Sequence, residues 1–347
     1  MSKWMIYGAN GYTGELIARE AKQRGLNPVL AGRSADKVQP LADELGFEAR
    51  VFDLNDATAN LQDIDTVIHC AGPFSATSAP MIEACLASKT NYLDITGEIE
   101  VFEHAHAQNE RAKQAGIVIC PGVGFDVIPT DCVAATLKQA LPDATHLALG
   151  FESRSKNSPG TAKTSVEGLA SGGKTRKDGK IITVPLGFKT RKIDFGDGEH
   201  LGATIPWGDV STAYYTTGIP NIEVYMSVPP KLAKNMKAAN KLRWFFALKP
   251  VQSFMKKQAG KNAVGLDAAA REKYPMYVWG EATNAQGQSK TARVKTPNGY
   301  TVTFHGALAV LDFLENNSVE GGSYTPARLC GSDLVERLAG SGKIAVT

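Results

Sequence analysis

The sequence predicts a two-part α/β protein: a doubly wound parallel sheet of the Rossmann type, then a second α+β domain built on a mostly antiparallel sheet. Three observations predict it. Short apolar runs alternate with helical-period segments as far as Leu141. The glycine-rich stretch Gly8-Ala9-Asn10-Gly11-Tyr12-Thr13-Gly14 joins the first run to the first helix. From Thr145 onward the pattern changes to period-two runs separated by turns. A length of 347 residues exceeds one usual domain, so two are expected.

Trp4 to Tyr7 is the first strand and Thr13 to Arg24 the first helix. A glycine turn between them lets backbone approach a diphosphate, while the helix N-terminus presents unpaired N–H groups and a positive dipole end. The spacing is G-x-x-G-x-x-G rather than the commoner G-x-G-x-x-G, so a tight turn alone would also explain it. Gly8, Asn10, Gly11, Tyr12, Thr13 and Gly14 are the candidate phosphate-binding residues.

Asn27 to Ala31 is the second strand, and Ala35 to Leu45 places Val38, Leu41, Ala42 and Leu45 at helical spacing behind Ser34 as N-cap. An NAD enzyme ends this strand with Asp or Glu to hold the ribose 2′-OH. Here no acid lies between Glu20 and Asp36, and Arg33, Ser34 and Lys37 offer charge-assisted hydrogen bonds to a 2′-phosphate instead. The expected cofactor is NADP(H).

Ala49 to Asp53 and Asp65 to Cys70 are the third and fourth strands. Ligands of such sheets bind beyond the carboxyl ends of the strands, which assigns Asp53 and Leu54 to the adenine. By the same rule Cys70, Ala71, Gly72, Pro73 and Phe74 fall to the nicotinamide-side ribose. A helix is expected over Ser78 to Ser88, a strand over Asn91 to Ile95, a helix over Glu100 to Gln114, and a sixth parallel strand over Ile117 to Cys120. Pro121 to Asp131, with Gly122, Gly124, Asp126 and Pro129, makes the joint before a helix at Ile128 to Leu141.

The period-two runs are His146–Glu152, Ile181–Val184, Thr190–Phe195, Ile222–Val228, Met276–Ala282, Ala292–Lys295 and Tyr300–Thr303. Helices are expected at Thr161–Leu169, Lys231–Lys257, Ala307–Leu314 and Pro326–Ala339. The domains read as 1–130 for the dinucleotide, 131–320 for substrate and dimerisation, and a C-terminal helical piece, 321–347, packing back on the first.

Cut after Thr130, the first part carries 10 Lys/Arg against 17 Asp/Glu and the remainder 28 against 18, so the +3 net charge hides halves of −7 and +10. That points the second part toward an anionic ligand, a lipid surface or an acidic partner. From Val224 to Leu266 there is no acid, while nine Lys or Arg residues stand among Leu232, Met236, Trp244, Phe245, Phe246, Leu248, Phe254 and Met255. Such a segment either rests in an anionic membrane interface, through 231–258, or buries its aromatics as a packing helix or lid.

Five cysteines, Cys70, Cys85, Cys120, Cys132 and Cys330, lack C-x-x-C spacing and read as thiols of a reducing compartment. The first strand starts at once and no run of about 18 apolar residues occurs, so neither a secretion signal nor a spanning helix is expected. The expectation is a cytoplasmic protein, peripheral to a membrane if the basic segment docks.

With Gly8 to Gly14, Ala31-Gly32-Arg33-Ser34, Cys70-Ala71-Gly72-Pro73-Phe74 and Tyr92-Leu93-Asp94-Ile95-Thr96-Gly97-Glu98, the chain resembles the saccharopine dehydrogenase-like family, and within it the trans-acting enoyl reductases. The resemblance continues through Gly124 to Asp131, Gly160-Thr161, Gly172-Gly173, Arg176 to Gly179, Ile205 to Val210 and Tyr324 to Ala327. It implies a Rossmann domain, a sheet-based second domain and an NADPH-linked reductase, expected to act on an activated C=C bond of a lipid or thioester-type substrate. Two alternatives stay open: a non-catalytic NADP(H)-binding module that senses redox state or docks on a membrane, and a saccharopine-type imine reductase. The last would need a carboxylate-binding set of Arg residues, which the second part does not present.

Hydride transfer also needs a group that protonates or stabilises the developing anion. No Tyr-x-x-x-Lys and no G-x-S-x-G occurs. His69 lies in an apolar strand, His104 and His106 in a polar helix, and His305 beside an apolar one. Asp126, at the domain joint, and Lys163, at an expected helix start, are the candidates for catalysis, although an N-cap role explains Asp126 equally. No His/Cys/carboxylate set has ligand spacing, so no metal is expected, and no nucleic-acid partner.

Overall fold

The computed structural model describes residues 2–153, 172–246, 248–262, 271 and 273–347. The chain divides into two compact units, 1–128 with 300–331 and 129–299 with 332–347. The boundaries expected from sequence differ at the C-terminal end. Residues 300–320, assigned there to the second domain, lie with the first unit, and 332–347 lie with the second.

The first unit is a seven-stranded parallel sheet, and all four residues of its first strand, β1 (Trp4–Tyr7), are buried. Beside β1 lie β2 (Val29–Gly32) and β3 (Glu48–Val51) on one side. On the other lie β4 (Thr66–His69), β5 (Asn91–Asp94) and β6 (Val118–Cys120). The resulting order 3-2-1-4-5-6 reverses between β1 and β4, which makes that pair of strand ends the switch point where ligands bind. A seventh short strand, β15 (Gly322–Ser323), pairs in parallel with β6, where the sequence reading had only a helical tail.

The helices flanking this sheet follow from apolar stripes. Helix α1 (Tyr12–Gln23) buries Gly14, Ile17, Ala18 and Ala21, and α2 (Ala35–Leu45) buries the expected Val38, Leu41, Ala42 and Leu45. Gly46 ends α2 at φ 70°, a left-handed cap that costs glycine nothing. Between β3 and β4 comes the single turn α3 (Ala57–Asn60). Helix α4 (Phe74–Ser88) begins four residues before the expected start, and the expected polar helix is two, α5 (Ile99–Ala107) and α6 (Asn109–Ala115).

Gly299–Asn316 is a helix throughout, so the strand expected at Tyr300–Thr303 is not formed. The β-branched residues there misled: Val302 and Phe304 continue the buried stripe of Ala307, Leu308 and Leu311, and packing overrides local propensity. The last expected helix is likewise two pieces, Pro326–Cys330 and Leu334–Arg337, separated by Gly331 at φ 97°.

In the second unit, α7 (Ile128–Ala140) leads into β7 (Ala144–Glu152). Next come β8 (Gly173–Lys177), β9 (Lys180–Val184), β10 (Thr190–Asp194), β11 (Glu199–Thr204), β12 (Asn221–Ser227), β13 (Met276–Asn284), β14 (Ser289–Thr296) and β16 (Ala345–Val346). Among the described residues they form one nine-stranded sheet in which β12 and β7 alone pair in parallel. A Cβ on Gly280 of β13 would stand 2.6 Å from Val133 Cγ1, so α7 lies close on this sheet. The helix expected at Thr161–Leu169 lies outside the described residues.

Candidate functional site

The glycine turn is built by close contact on three sides. Gly8 has φ 87°, and a Cβ there would meet the Ala71 backbone nitrogen at 2.7 Å. Its N–H donates to the Ala31 carbonyl at 2.8 Å, and Cys70 N–H donates to the Tyr7 carbonyl at 2.7 Å. The carboxyl ends of β1, β2 and β4 are thereby drawn together around one glycine. Gly14 lies against the turn from the helix side, whereas a Cβ on Gly11 would touch only the Gly8 carbonyl, at 3.2 Å. Gly11 therefore leaves backbone open just where α1 presents its first-turn N–H groups and an anion would sit. That fits a diphosphate, and Thr13 and Tyr12 open the same helix.

Tyr12 also stands edge-on to Tyr300, with ring centroids 5.0 Å apart. The helix Gly299–Asn316 reaches the site a second time through Thr303, whose Oγ1 accepts the Phe125 N–H at 3.1 Å. Sequence reasoning does not reach Tyr300, because the period-two run Tyr300–Thr303 reads as a strand of the second domain. A helical stripe continuing into Ala307 was the available signal.

Arg33 is exposed at the end of β2, with Ser34 as N-cap of α2 and Lys37 exposed one turn later. Six of the ten basic residues up to Ile128 are held in ion pairs: Lys3, Arg19, Arg24, Arg50, Arg111 and Lys113. Among the described residues Arg33 and Lys37 have no such partner, so both charges remain available to a phosphate. Asn10 approaches this edge as well, since a Cβ on Gly32 would meet its Oδ1 at 3.2 Å.

Asp53 follows β3 and accepts the Asn55 N–H at 3.2 Å, capping a turn at Leu54–Asp56. Burial pushes the Tyr7 phenol above its ordinary value, Asp53 adds to this and Arg33 opposes it, so both charged groups reach the end of β1. Leu54 packs partly buried against the core cluster that holds Tyr7 and Phe52.

After β4, Cys70 and Ala71 are half-buried, Gly72 and Pro73 exposed, and Phe74 opens α4. Glu98 holds this stretch, its carboxylate accepting the N–H groups of Phe74 at 3.2 Å and Ser75 at 2.8 Å. The glutamate therefore caps α4 from a neighbouring loop. His69 is fully buried, its ring 5.4 Å from Phe74 and 5.6 Å from Tyr7, and burial pushes its pKa down to about 3. Neutral at working pH, it hydrogen-bonds Thr77 Oγ1 at 3.0 Å and belongs to the core.

Two carboxyl groups stand at the ends of β5 and β6. Asp94 is buried and accepts three hydrogen bonds, from Tyr92 OH at 2.7 Å, Gly122 N–H at 2.8 Å and Thr96 N–H at 3.0 Å. Burial outweighs these bonds and pushes its pKa up to about 6. Sequence reasoning passed over Asp94, since a strand-end aspartate gives no sign of burial. Asp126 is half-buried in the loop after β6, where a Cβ on Gly97 would meet its Oδ2 at 2.6 Å, and burial raises it to about 6 as well. Lys163, the other catalytic candidate, lies outside the described residues.

In the second unit Glu152, Asp197 and His200 bring their ligand atoms within 4.8 Å of one another, a convergence that sequence spacing did not show. His200 Nε2 lies 3.6 Å from Glu152 and 3.5 Å from Asp197.

The family model described as the saccharopine dehydrogenase NADP binding domain matches residues 4–120, the stretch that carries β1 to β6. A probable mitochondrial saccharopine dehydrogenase-like oxidoreductase of Arabidopsis thaliana is 30% identical over 203 residues, 50% of this chain and 44% of that protein. A trans-acting enoyl reductase of Mycobacterium ulcerans is 31% identical over 153 residues, 41% of this chain and 37% of that one. The matched regions thus span less than half of each curated relative. Among solved structures, apo saccharopine dehydrogenase (L-Glu forming) from Saccharomyces cerevisiae superposes with a TM-score of 0.68 over 100% of both chains at 13% identity, a likeness of fold.

Proposed function

We propose that this chain, whose residues 4–120 match the family model described as the saccharopine dehydrogenase NADP binding domain, is an NADP(H)-dependent oxidoreductase that reduces an activated C=C bond in a lipid or thioester-type substrate. The observation that carries the cofactor half is the pairing of an open Gly11 backbone with Arg33 and Lys37, which have no ion pair among the described residues. NADPH held there would supply a hydride to one carbon of the double bond, and a proton would have to reach the other. Gly8, Asn10, Gly11, Tyr12, Thr13 and Gly14 would hold the diphosphate, and Arg33, Ser34 and Lys37 the 2′-phosphate. Asp53 and Leu54 would flank the adenine, and Cys70 to Phe74, held by Glu98, the nicotinamide side.

Asp126 is the group proposed to hold the proton. A carboxyl with a pKa near 6 keeps its proton closer to neutrality than an exposed one, which is what a general acid requires. The enoyl assignment is supported by the similarity to trans-acting enoyl reductases. The second unit is proposed to carry the substrate and dimerisation surfaces, in a cytoplasmic protein that meets membranes at their surface.

The test is NADPH oxidation by the purified chain with a panel of enoyl thioesters. Consumption supports the reading. Tight NADPH binding without turnover on any of them favours a redox-sensing module, and turnover only with a keto acid and an amine favours imine reduction.

A further inference from the structure

We infer that the described residues between Pro230 and Gln258 form a docking surface for an anionic lipid bilayer. The segment folds as Pro230–Ala239, Arg243–Phe246 and Lys249–Asn262, with a single 3₁₀ turn between the first two. One side of it is tied down. Ala233 is buried with Ala203 and Val228, and Met236 packs against the same group. Asn240 clamps the backbone of Leu186, accepting its N–H at 2.8 Å and donating to its carbonyl at 3.1 Å.

Much of the rest of its apolar surface faces water. Six of the ten exposed large apolar residues among those described lie here: Leu232, Leu242, Trp244, Phe245, Leu248 and Phe254. Trp244 is 69% exposed and Phe254 64%. A helix packed by its aromatics would bury them, so the packing role expected as an alternative does not account for these side chains. Exposed large apolar side chains concentrated in one segment mark an interaction site.

Charge decides what it meets. No acid occurs from Val224 to Leu266, and Lys231, Lys234, Lys237, Lys241, Lys249 and Lys257 are exposed without an ion pair among the described residues. A second copy docked face to face would press these lysines against one another with no carboxylate of the segment to answer them. An anionic headgroup layer answers all six, while Trp and Phe enter the acyl boundary and lysine stems lie along it. No described helix is long and apolar enough to cross a membrane, which leaves an orientation in the interface plane.

The test uses the full chain without NADPH, so its outcome is separate from that of the oxidoreductase reading. Co-sedimentation is measured with vesicles of phosphatidylcholine alone and of phosphatidylcholine mixed with phosphatidylglycerol. Binding is expected to the mixed vesicles only, falling as salt rises. Lys231→Gln, Lys234→Gln and Lys237→Gln together should lower partitioning about a hundredfold, at about fivefold per lysine. Trp244→Ser with Phe254→Ser should lower it about tenfold or more, with NADPH affinity unchanged because both side chains are exposed. Equal binding to neutral vesicles, or no sedimentation with mixed vesicles at low salt, overturns the inference. So does a dimer in analytical ultracentrifugation that Trp244→Ser with Phe254→Ser dissociates, which would give the face to a second copy.

Discussion

A Cβ atom on Gly14 would stand 2.4 Å from the carbonyl oxygen of Gly8, so the first turn of α1 lies directly on the turn that leaves β1. Gly11, between them, has extended backbone at φ −77° and ψ 158°, which a branched residue accepts. The two glycines should therefore fail differently. Gly14→Ala is expected to cost about 1–3 kcal/mol of stability through overpacking. Gly11→Val should leave the urea midpoint near that of wild type and abolish NADPH binding, because its side chain fills the diphosphate's place. A Gly11→Val protein that folds and still binds NADPH would reduce the motif to a turn.

Arg33 should decide the choice between cofactors. Arg33→Ala is expected to weaken NADPH binding by about 1.5–3 kcal/mol, roughly tenfold or more, and to leave NADH nearly untouched. Titration of both cofactors against both proteins measures this. Equal affinity of the wild type for NADH and NADPH would remove the assignment.

Asp94 should impose a pH slope on stability. Its folded pKa of about 6 lies above the ordinary 3.8, so between these values the folded chain keeps a proton that the unfolded chain releases. The stabilisation is complete below about pH 4, falls as pH rises to about 6 and is constant above, a change on the order of 3 kcal/mol. Asp94→Asn keeps an oxygen for the Thr96 and Gly122 donors and should flatten this slope in denaturant melts across that range. An unchanged slope would show that Asp94 ionises normally.

Asp126 should affect turnover rather than cofactor binding. Asp126→Asn is expected to lower kcat about a hundredfold or more with NADPH affinity unchanged, and wild-type kcat should fall above about pH 6 as the acid loses its proton. Gly97→Ala, which places a methyl 2.6 Å from Oδ2, should displace the carboxyl and lower kcat in the same direction. Unaltered kcat in Asp126→Asn would leave it a structural residue.

Much of the first unit was legible without coordinates because its signals are local. The strand Trp4–Tyr7, the helix Ala35–Leu45 with Ser34 as its cap, and the missing acid before Arg33 depend on residues near in sequence, through periodicity and backbone sterics. These determined the parallel sheet and the glycine turn, and they carry the expectation of a 2′-phosphate. Tertiary structure alone decided which distant groups meet. Tyr300 comes to Tyr12, Glu98 to the start of α4 and Asp126 to Gly97, while β15 adds to the edge at β6. It also decided that Trp244 and Phe254 face water while Ala233 is buried. The physical reason is that a side chain's charge state and exposure depend on what chain folding brings against it. An aspartate or a tryptophan reads the same in sequence whether it ends in the core or on the surface.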